Sequence, residues 1–298
     1  MTLAKFNELS PAKLNLFLKI INKREDGYHN IRSGVTLINL FDEVLAEESS
    51  EFEVRYIGKF APQNNVFNNC IVEKIFSNFN LIKPKYCFTI KKNIPIQSGL
   101  GSASSNAAAV IRILKKLEYK EINTINLTEI GADVPLFVEN QDLLVRGIGD
   151  ITIKQLFPKY YFLLIKPMQN CSTEEMYNEV NINSIKFDPN LDTDEITEFD
   201  MGNDFEAIAD RKYPEIATLL KFMRGFSEVI FSRLTGSGSC IYSAFDKKNS
   251  AEKALEFFKE RYPNHWAVVV ENNFIKKIYN IPCFSKISVS FSPCLISS

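Results

Sequence analysis

Residues 94–106 read Ile94-Pro95-Ile96-Gln97-Ser98-Gly99-Leu100-Gly101-Ser102-Ala103-Ser104-Ser105-Asn106. Two glycines and four serines stand between a strand pattern at 85–91 (KYCFTIK) and an amphipathic helix. In the helix Ala107, Val110, Ile111, Leu114 and Leu117 keep a three-four spacing, with Arg112, Lys115 and Lys116 on the other face. Ser104 or Ser105 is the expected N-cap. Glycine lets the backbone turn sharply and approach a ligand. The first amides of a helix lack internal acceptors and carry the positive end of its dipole, so they suit an anion. Taken alone, such a loop is more often a flexible Gly/Ser turn before a helix. The GxxxxGK[ST] spacing of a Walker A loop is absent, as is the third glycine of a dinucleotide fingerprint. No HRD or DFG signature of a protein kinase occurs.

Two more loops share this character. Thr235-Gly236-Ser237-Gly238-Ser239 reads as a link between a helix and a strand, and Gly147-Ile148-Gly149-Asp150 follows a strand. Each alone is a turn; three together favour a cleft walled by backbone amides.

Further out, residues 13–21, 34–45 and 51–57 have strand patterns, and 65–79 a helical one. Strands are expected at 142–146, 160–166, 240–245 and 266–271, and helices at 204–210, 214–224 and 249–261. The polar stretch 181–203 reads as a mobile loop. A domain boundary is expected near 150–160, and the tail 282–298 has no evident place.

Composition sets limits. Of 298 residues 45% are apolar and 24% charged, as in a globular protein with a sizeable core. The 35 Lys and Arg nearly balance the 36 Asp and Glu, which counts against a general polyanion binder. Six scattered cysteines and two histidines make no zinc pattern, and the cysteines read as thiols in a reducing cytosol. No stretch reaches the roughly 20 apolar residues of a membrane span. A cytoplasmic location is the expectation.

Two short segments carry candidate chemistry. In Pro11-Ala12-Lys13-Leu14-Asn15, Lys13 and Asn15 fall on one face of a strand. Asp133 lies in Gly131-Ala132-Asp133-Val134-Pro135. Singly, Lys13 is a solvated strand end and Asp133 a turn or cap residue.

In combination they mean more. PAKLN at 11–15, DGYH at 26–29, IPIQSGLGSASSNAA at 94–108, GADVP at 131–135 and LTGSGSC at 234–240 occur in an order and at separations that resemble the GHMP small-molecule kinases. The resemblance covers residues 10 to about 280. PAKLNLFL followed by GYH is similar to the branch that phosphorylates the 2-hydroxyl of 4-diphosphocytidyl-2-C-methyl-D-erythritol, in the non-mevalonate isoprenoid pathway.

The resemblance implies an α+β GHMP kinase fold. An N-terminal ribosomal S5 domain 2-like domain (1–155) would precede a C-terminal ferredoxin-like α/β domain (156–281) and the tail 282–298. It implies ATP with Mg²⁺, the nucleotide lying against Pro95, Ile96, Gln97, Ser98, Gly99, Leu100, Gly101, Ser102, Ala103, Ser104 and Ser105, with Asn65 and Lys92 nearby. It assigns catalysis to Lys13 and Asp133, with Asp133 taking the hydroxyl proton and Lys13 supplying positive charge beside it. Asn15, Tyr28, His29, Thr173 and Tyr177 match positions that hold the cytidine diphosphate substrate. No metal-ligating residue is assigned: one of the four loop serines could reach a phosphate-bound metal ion, and the direct protein ligand of Mg²⁺ is left open. A monomer or weak homodimer, without nucleic-acid or membrane partners, completes the expectation.

The chain departs from the family in the loop, usually close to GGGLGGGSSNA. Gln97, Ser98, Ser102 and Ala103 replace four glycines. Small side chains should preserve backbone approach unless a positive φ is required, so altered ATP affinity is expected. Cys171 stands where relatives often carry valine. The alternatives are a GHMP kinase for mevalonate, homoserine or a sugar, a non-enzymatic nucleotide-binding protein of the same fold, and a nucleic-acid-binding module.

Overall fold

The computed structural model describes residues 5–62, 70–182, 193–197 and 200–273. The expected Asn65, the start of the 65–79 helix, most of 181–199 and the tail 282–298 lie outside them.

The chain opens with two very long strands, β1 (Lys5–Lys23) and β2 (His29–Glu48), joined by a tight turn. β1 runs antiparallel along one edge of β2, with register shifts at Pro11/Ala12, Asn15/Phe17 and Ile20/Asn22. Such bulges bend a strand and re-aim its side chains. Along its other edge β2 serves two partners. Residues 43–48 pair with β4 (Tyr86–Lys91) and residues 31–35 with β5 (Leu143–Gly147). β3 (Glu53–Ile57) joins β4 in parallel, and β6 (Ile151–Lys154) closes a hairpin with β5.

One face of this sheet is covered by α1 (Ile71–Asn78) and α2 (Ser102–Lys116). Ala107, Ala109, Val110 and Leu114 of α2 pack with Val44, Ala46, Phe88 and Ile90 of the strands. The three fully buried alanines, Ala107 to Ala109, let the helix lie close. Its N-cap is Gly101, in the left-handed region at φ 74°, and not Ser104 or Ser105. The helix therefore starts one turn earlier than expected, because the Ser102 hydroxyl donates to Asp42 instead of capping.

The chain passes to a second sheet over residues 155–160. Its order is β10 (Trp266–Glu271), β7 (Tyr161–Lys166), β9 (Ile241–Phe245), β8 (Phe231–Leu234), all antiparallel. Two helices, α6 (Pro214–Arg224) and α7 (Lys248–Arg261), bury Ile216, Leu220, Met223 and Phe258 in one cluster with Leu163, Ile165 and Phe245. The short helices α3 (Val134–Glu139), α4 (Thr173–Asn178) and α5 (Glu206–Lys212) complete the described strands and α-helices. The architecture is α+β.

β1 joins the two halves. Its Leu14, Leu16 and Phe17 share a cluster with Phe162, Leu164 and Tyr242 of the second sheet. The Tyr242 hydroxyl donates to the Asn15 carbonyl at 2.9 Å. The loop 235–239 links β8 to β9, two strands, where a helix-to-strand link was expected. The strand Phe-Ser-Arg-Leu is too short for its alternation to show. Part of the expected mobile stretch is tightly held. Arg32 of β2 donates to the buried Asp200 carboxylate at 2.6 Å and to the carbonyls of Thr193 and Glu195, both at 2.7 Å. Asp- and Asn-rich sequence reads as loop, but here Asp200 and Asn203 are buried and partnered. The four described cysteines, Cys70, Cys87, Cys171 and Cys240, are buried free thiols.

Candidate active site

Lys13 and Asn15 lie in the middle of β1, buried between the two halves. The Lys13 ammonium donates to Asn15 Oδ1 at 2.5 Å. Asn15 Nδ2 donates in turn to Ser33 Oγ at 2.8 Å, and Ser33 Oγ to the Phe17 carbonyl at 2.6 Å. The second sheet contributes Thr235, whose Oγ1 accepts the Asn15 backbone N–H at 3.1 Å. Burial pulls the Lys13 pKa below its ordinary value, and the Asp133 charge opposes that pull.

Asp133 occupies the N-cap position of α3, but its carboxylate makes no capping hydrogen bond. It lies half-exposed, with Oδ2 4.0 Å from Lys13 Nζ. Pro135 starts the helix behind it without needing a cap for its missing N–H. A carboxylate free of its own helix and beside a buried cation is placed to take a proton from a third group.

The glycine loop forms one wall. The Lys13 backbone N–H donates to the Leu100 carbonyl at 3.0 Å. A Cβ on Gly101 would lie 2.6 Å from the Phe137 ring and 3.1 Å from Lys13 Cγ, so only glycine fits. Residues 95–104 line a cavity of about 370 Å³, together with Tyr56, Ile71, Lys92 and Asn106. The open end of α2 points its first-turn amides toward this loop, an anion-binding arrangement. Of the four positions where glycine was replaced, only Gln97 has a positive φ, 52°. Ser105 is fully buried, with its hydroxyl unpartnered.

Lys92 borders the cavity, but its ammonium pairs with Asp42 and Ser102, and burial pulls its pKa down. Asp42, fully buried, also accepts the Asn93 and Ile94 amides at 2.7 and 2.8 Å. One carboxylate thus ties the end of β4 to the start of α2. Asp42 was not anticipated: in Ile38-Asn39-Leu40-Phe41-Asp42-Glu43-Val44-Leu45 it stands beside Glu43, and nothing in the sequence tells which of the two carboxylates turns inward.

The second Gly/Ser loop packs on the first. Cys240 N–H donates to the Ser98 carbonyl at 3.0 Å and Ser239 Oγ to the Gln97 carbonyl at 3.2 Å. A Cβ on Gly236 would come within 3.4 Å of both Lys13 Nζ and Asn15 Oδ1. The third loop, 147–150, is a hairpin turn held by Asp150, and Gly149 lies near Ala132, beside Asp133. Two loops therefore meet, and the third borders the aspartate.

Aromatic groups form a further wall. His29 and Tyr177 stack with centroids 5.2 Å apart and planes at 29°. Burial pulls the His29 pKa down, so the ring is neutral at pH 7. Burial, with the Asp133 charge nearby, pushes the Tyr177 phenol up to about 12. Thr173 Oγ1 is 2.8 Å from Ser237 Oγ, at the edge of the second loop. Tyr28 stands 63% exposed on the turn before His29.

Direct contacts thus bring Lys13, Asn15, Asp133 and the glycine loop together, with the His29–Tyr177 stack near Asp133 and Thr173 on the second loop. Thr235, Gly236 and Ser33 belong to the same constellation, and only the first two were marked by a motif.

The comparisons agree with this geometry. The family model described as "GHMP kinases N terminal domain" matches residues 65–152, and "GHMP kinases C terminal" matches 194–264. A 4-diphosphocytidyl-2-C-methyl-D-erythritol kinase of Buchnera aphidicola (Acyrthosiphon pisum) is 36% identical over 82% of this chain and 88% of its own. One of Pelagibacter ubique is 31% identical over 88% of this chain and 97% of its own. A crystal structure of a 4-(cytidine 5'-diphospho)-2C-methyl-D-erythritol kinase superposes with a TM-score of 0.70 at 24% identity, covering 89% of this chain and 99% of that one. An L. major mevalonate kinase superposes at 0.62 with 12% identity, over 91% of this chain and 98% of its own. From fold, site and relatives alike, the chain belongs to the GHMP kinases and, within them, to the 4-diphosphocytidyl-2-C-methyl-D-erythritol kinase family.

Proposed function

We propose that this chain transfers the γ-phosphoryl group of ATP to the 2-hydroxyl of 4-diphosphocytidyl-2-C-methyl-D-erythritol, in the non-mevalonate isoprenoid pathway. The observation that carries the reading is the buried Lys13 ammonium 4.0 Å from the half-exposed Asp133 carboxylate, with the glycine loop on one side and the His29–Tyr177 stack on another.

Phosphoryl transfer is mainly positioning and charge stabilisation. Asp133 accepts the proton as the substrate oxygen attacks the γ-phosphorus. The new O–P bond forms while the bond to the β,γ-bridging oxygen breaks, and ADP leaves with that electron pair. Lys13 stabilises the alkoxide character of the attacking oxygen. Asn15 fixes the ammonium. The amides of residues 99–105 hold the phosphates, and Ile71 with Tyr56 gives the far end of the cavity an apolar lining suited to the base. Lys92 acts there through the loop it helps to pin.

The cytidine is read on the other side. His29 and Tyr177 offer a paired aromatic surface, and neutral His29 has both a donor and an acceptor edge. Tyr28 adds a second flat face, and Thr173 a hydroxyl. Mg²⁺ would travel with the nucleotide. Among the described residues no three His, Cys, Asp or Glu side chains converge on a metal-sized site, and the cavity offers amides and serine hydroxyls. It would offset the phosphate charge, and the serine hydroxyls of the cavity are the side chains that would face it.

We read residues 1–155 as the nucleotide and catalytic domain and 156–281 as the C-terminal domain. We take the chain as a cytoplasmic monomer or weak homodimer acting on a small molecule, and its near balance of charge counts against a polyanion partner. Asp133→Asn tests the assignment of roles. Turnover should fall about 10²–10⁴-fold while ADP binding, measured by calorimetry, stays near that of the parent. Full activity in that variant would remove Asp133 from the mechanism.

A further inference from the structure

The segment just before α5 contains a buried asparagine that the reaction as described does not use. Asn203 is 7% exposed. Its Nδ2 donates to two carbonyls, Leu234 and Gly236, both at 2.8 Å, and its Oδ1 accepts the Phe205 amide at 3.0 Å. Every one of its strong hydrogen-bonding capacities is directed at backbone.

The two carbonyls flank Thr235. The Thr235 hydroxyl accepts the Asn15 N–H at 3.1 Å and lies 3.4 Å from Asn15 Oδ1, the oxygen that receives the Lys13 ammonium at 2.5 Å. Gly236 follows Thr235, and a Cβ there would lie 3.4 Å from Lys13 Nζ. Asn203 therefore grips the backbone on both sides of Thr235, and from the Thr235 hydroxyl buried hydrogen bonds lead through Asn15 to Lys13.

Asn203 itself cannot drift. The flanking Gly202 carbonyl accepts the Leu18 amide at 2.9 Å, and the Asp204 amide donates to the Leu18 carbonyl at 3.0 Å. The Asp204 carboxylate pairs with Lys19 and accepts the Ile20 amide at 2.8 Å. The segment is thus laid along β1, the strand that carries Lys13, a few residues beyond it. One amide side chain ties a fixed point on β1 to the loop that touches Lys13.

We propose that Asn203 is a positioning residue for the reaction. By pinning the backbone on both sides of Thr235, it holds Asn15 and hence the Lys13 ammonium in the place where the transferred phosphoryl group is met. The proposal rests on the catalytic role given to Lys13 above. It explains why an asparagine, with two N–H donors on one nitrogen, stands where a carboxylate would face two carbonyl oxygens and a leucine would leave both unpaired.

The test uses the full chain with Asn203→Leu, close to isosteric, and with Thr235→Val and Thr235→Ser. Thr235→Val cuts the relay without removing the Asn203 amide, so it decides the matter if Asn203→Leu does not fold; Thr235→Ser keeps the hydroxyl. Two readouts are taken. One is kcat and both KM values with Mg-ATP and the cytidyl diphosphate alcohol. The other is the titration of Lys13, followed by its ¹³Cε NMR signal in the free protein and assigned with Lys13→Met. The charged group facing Lys13 is Asp133, with the Tyr177 phenol close to that carboxylate.

For Asn203→Leu and Thr235→Val, kcat should fall about 10- to 100-fold, as for a misplaced reacting group. Both KM values should stay within about twofold, an effect on kcat alone. Lys13 should titrate at lower pH than in the parent, because its ammonium loses an oriented acceptor. Thr235→Ser should restore both readouts. An unchanged kcat with an unmoved Lys13 titration overturns the proposal, as does a loss confined to KM for ATP. If the parent turns over no cytidyl alcohol but the Lys13 titration still moves, the substrate assignment fails and the positioning role stands.

Discussion

Replacing Gly99 with alanine puts a methyl group where two loops meet. Gly99 has φ 74°, and a Cβ there would lie 2.5 Å from the Thr235 carbonyl oxygen and 2.7 Å from that of Gly238. Both obstacles are backbone, so neither can rotate away. Two penalties add. Holding a non-glycine residue in the left-handed region costs roughly 1–2 kcal/mol. Forcing a methyl into a closed contact costs roughly 1–3 kcal/mol more. The sum, about 2–5 kcal/mol, is a large share of the 5–15 kcal/mol by which domains are ordinarily stable. Gly27 supplies the control: its φ is 88° but nothing lies within 4 Å of its Cβ position, so Gly27→Ala bears only the conformational penalty. Urea unfolding of both variants and the parent isolates the contact as the difference between them. Gly99→Ala should unfold at lower urea than Gly27→Ala by the equivalent of about 1–3 kcal/mol, and KM for ATP should rise because the loop 97–101 is pushed off the loop 235–239. Equal unfolding of the two alanine variants would refute the close packing of these loops, and with it the shared wall of the site.

Gln97 is the reverse case: it already has a positive φ of 52°. Gln97→Gly should stabilise by about 0.5–1 kcal/mol, the left-handed strain less glycine's extra chain entropy, measured by thermal melts. Lys13, held below its ordinary 10.5 by burial, should be the group whose deprotonation ends activity at high pH. The alkaline limb of kcat/KM, which reports the free enzyme, should therefore fall before pH 10.5 is reached, and stability should rise across that interval relative to Lys13→Met, because there the unfolded chain binds the extra proton. His29, neutral at pH 7, should leave KM for the cytidyl substrate flat down to its ordinary 6.5 and raise it only below, whereas His29→Phe should lose the dependence. Tyr28→Ala should raise the acceptor KM without moving the melting temperature, since that ring is 63% exposed.

What the sequence revealed of this fold depended on length and on periodicity. The α2 face from Ala107 to Leu114 has an unbroken three-four spacing, and the structure buries it. The strands of both sheets were legible wherever five or more residues alternate or run apolar. The four-residue strands and the six-residue helices were not. β8, α3 and α4 carry too few turns or alternations for a period to register, yet they place Thr235, Asp133 and Tyr177. The start of α2 was misjudged because serine favours N-caps in general, while here Asp42 holds the Ser102 hydroxyl and a left-handed Gly101 takes the cap. The catalytic pair was visible only through the ordered set of short motifs. Lys13 and Asp133, 120 positions apart in the chain, are joined by tertiary packing that no local rule describes. Residues that hold the site from behind, such as Asp42 and Asn203, left the faintest trace: one of two neighbouring carboxylates in a strand, and one asparagine in a polar run.

The most direct measurement follows ADP and phosphomonoester formation by ³¹P NMR, with purified protein and Mg-ATP, in the presence and absence of 4-diphosphocytidyl-2-C-methyl-D-erythritol. Mevalonate, homoserine and galactose serve as alternative acceptors. Stoichiometric ADP and a new phosphomonoester at the 2-position, with the cytidyl substrate alone, is the predicted result. Turnover of another alcohol in its place, or binding of ATP with transfer to none of them, would contradict it.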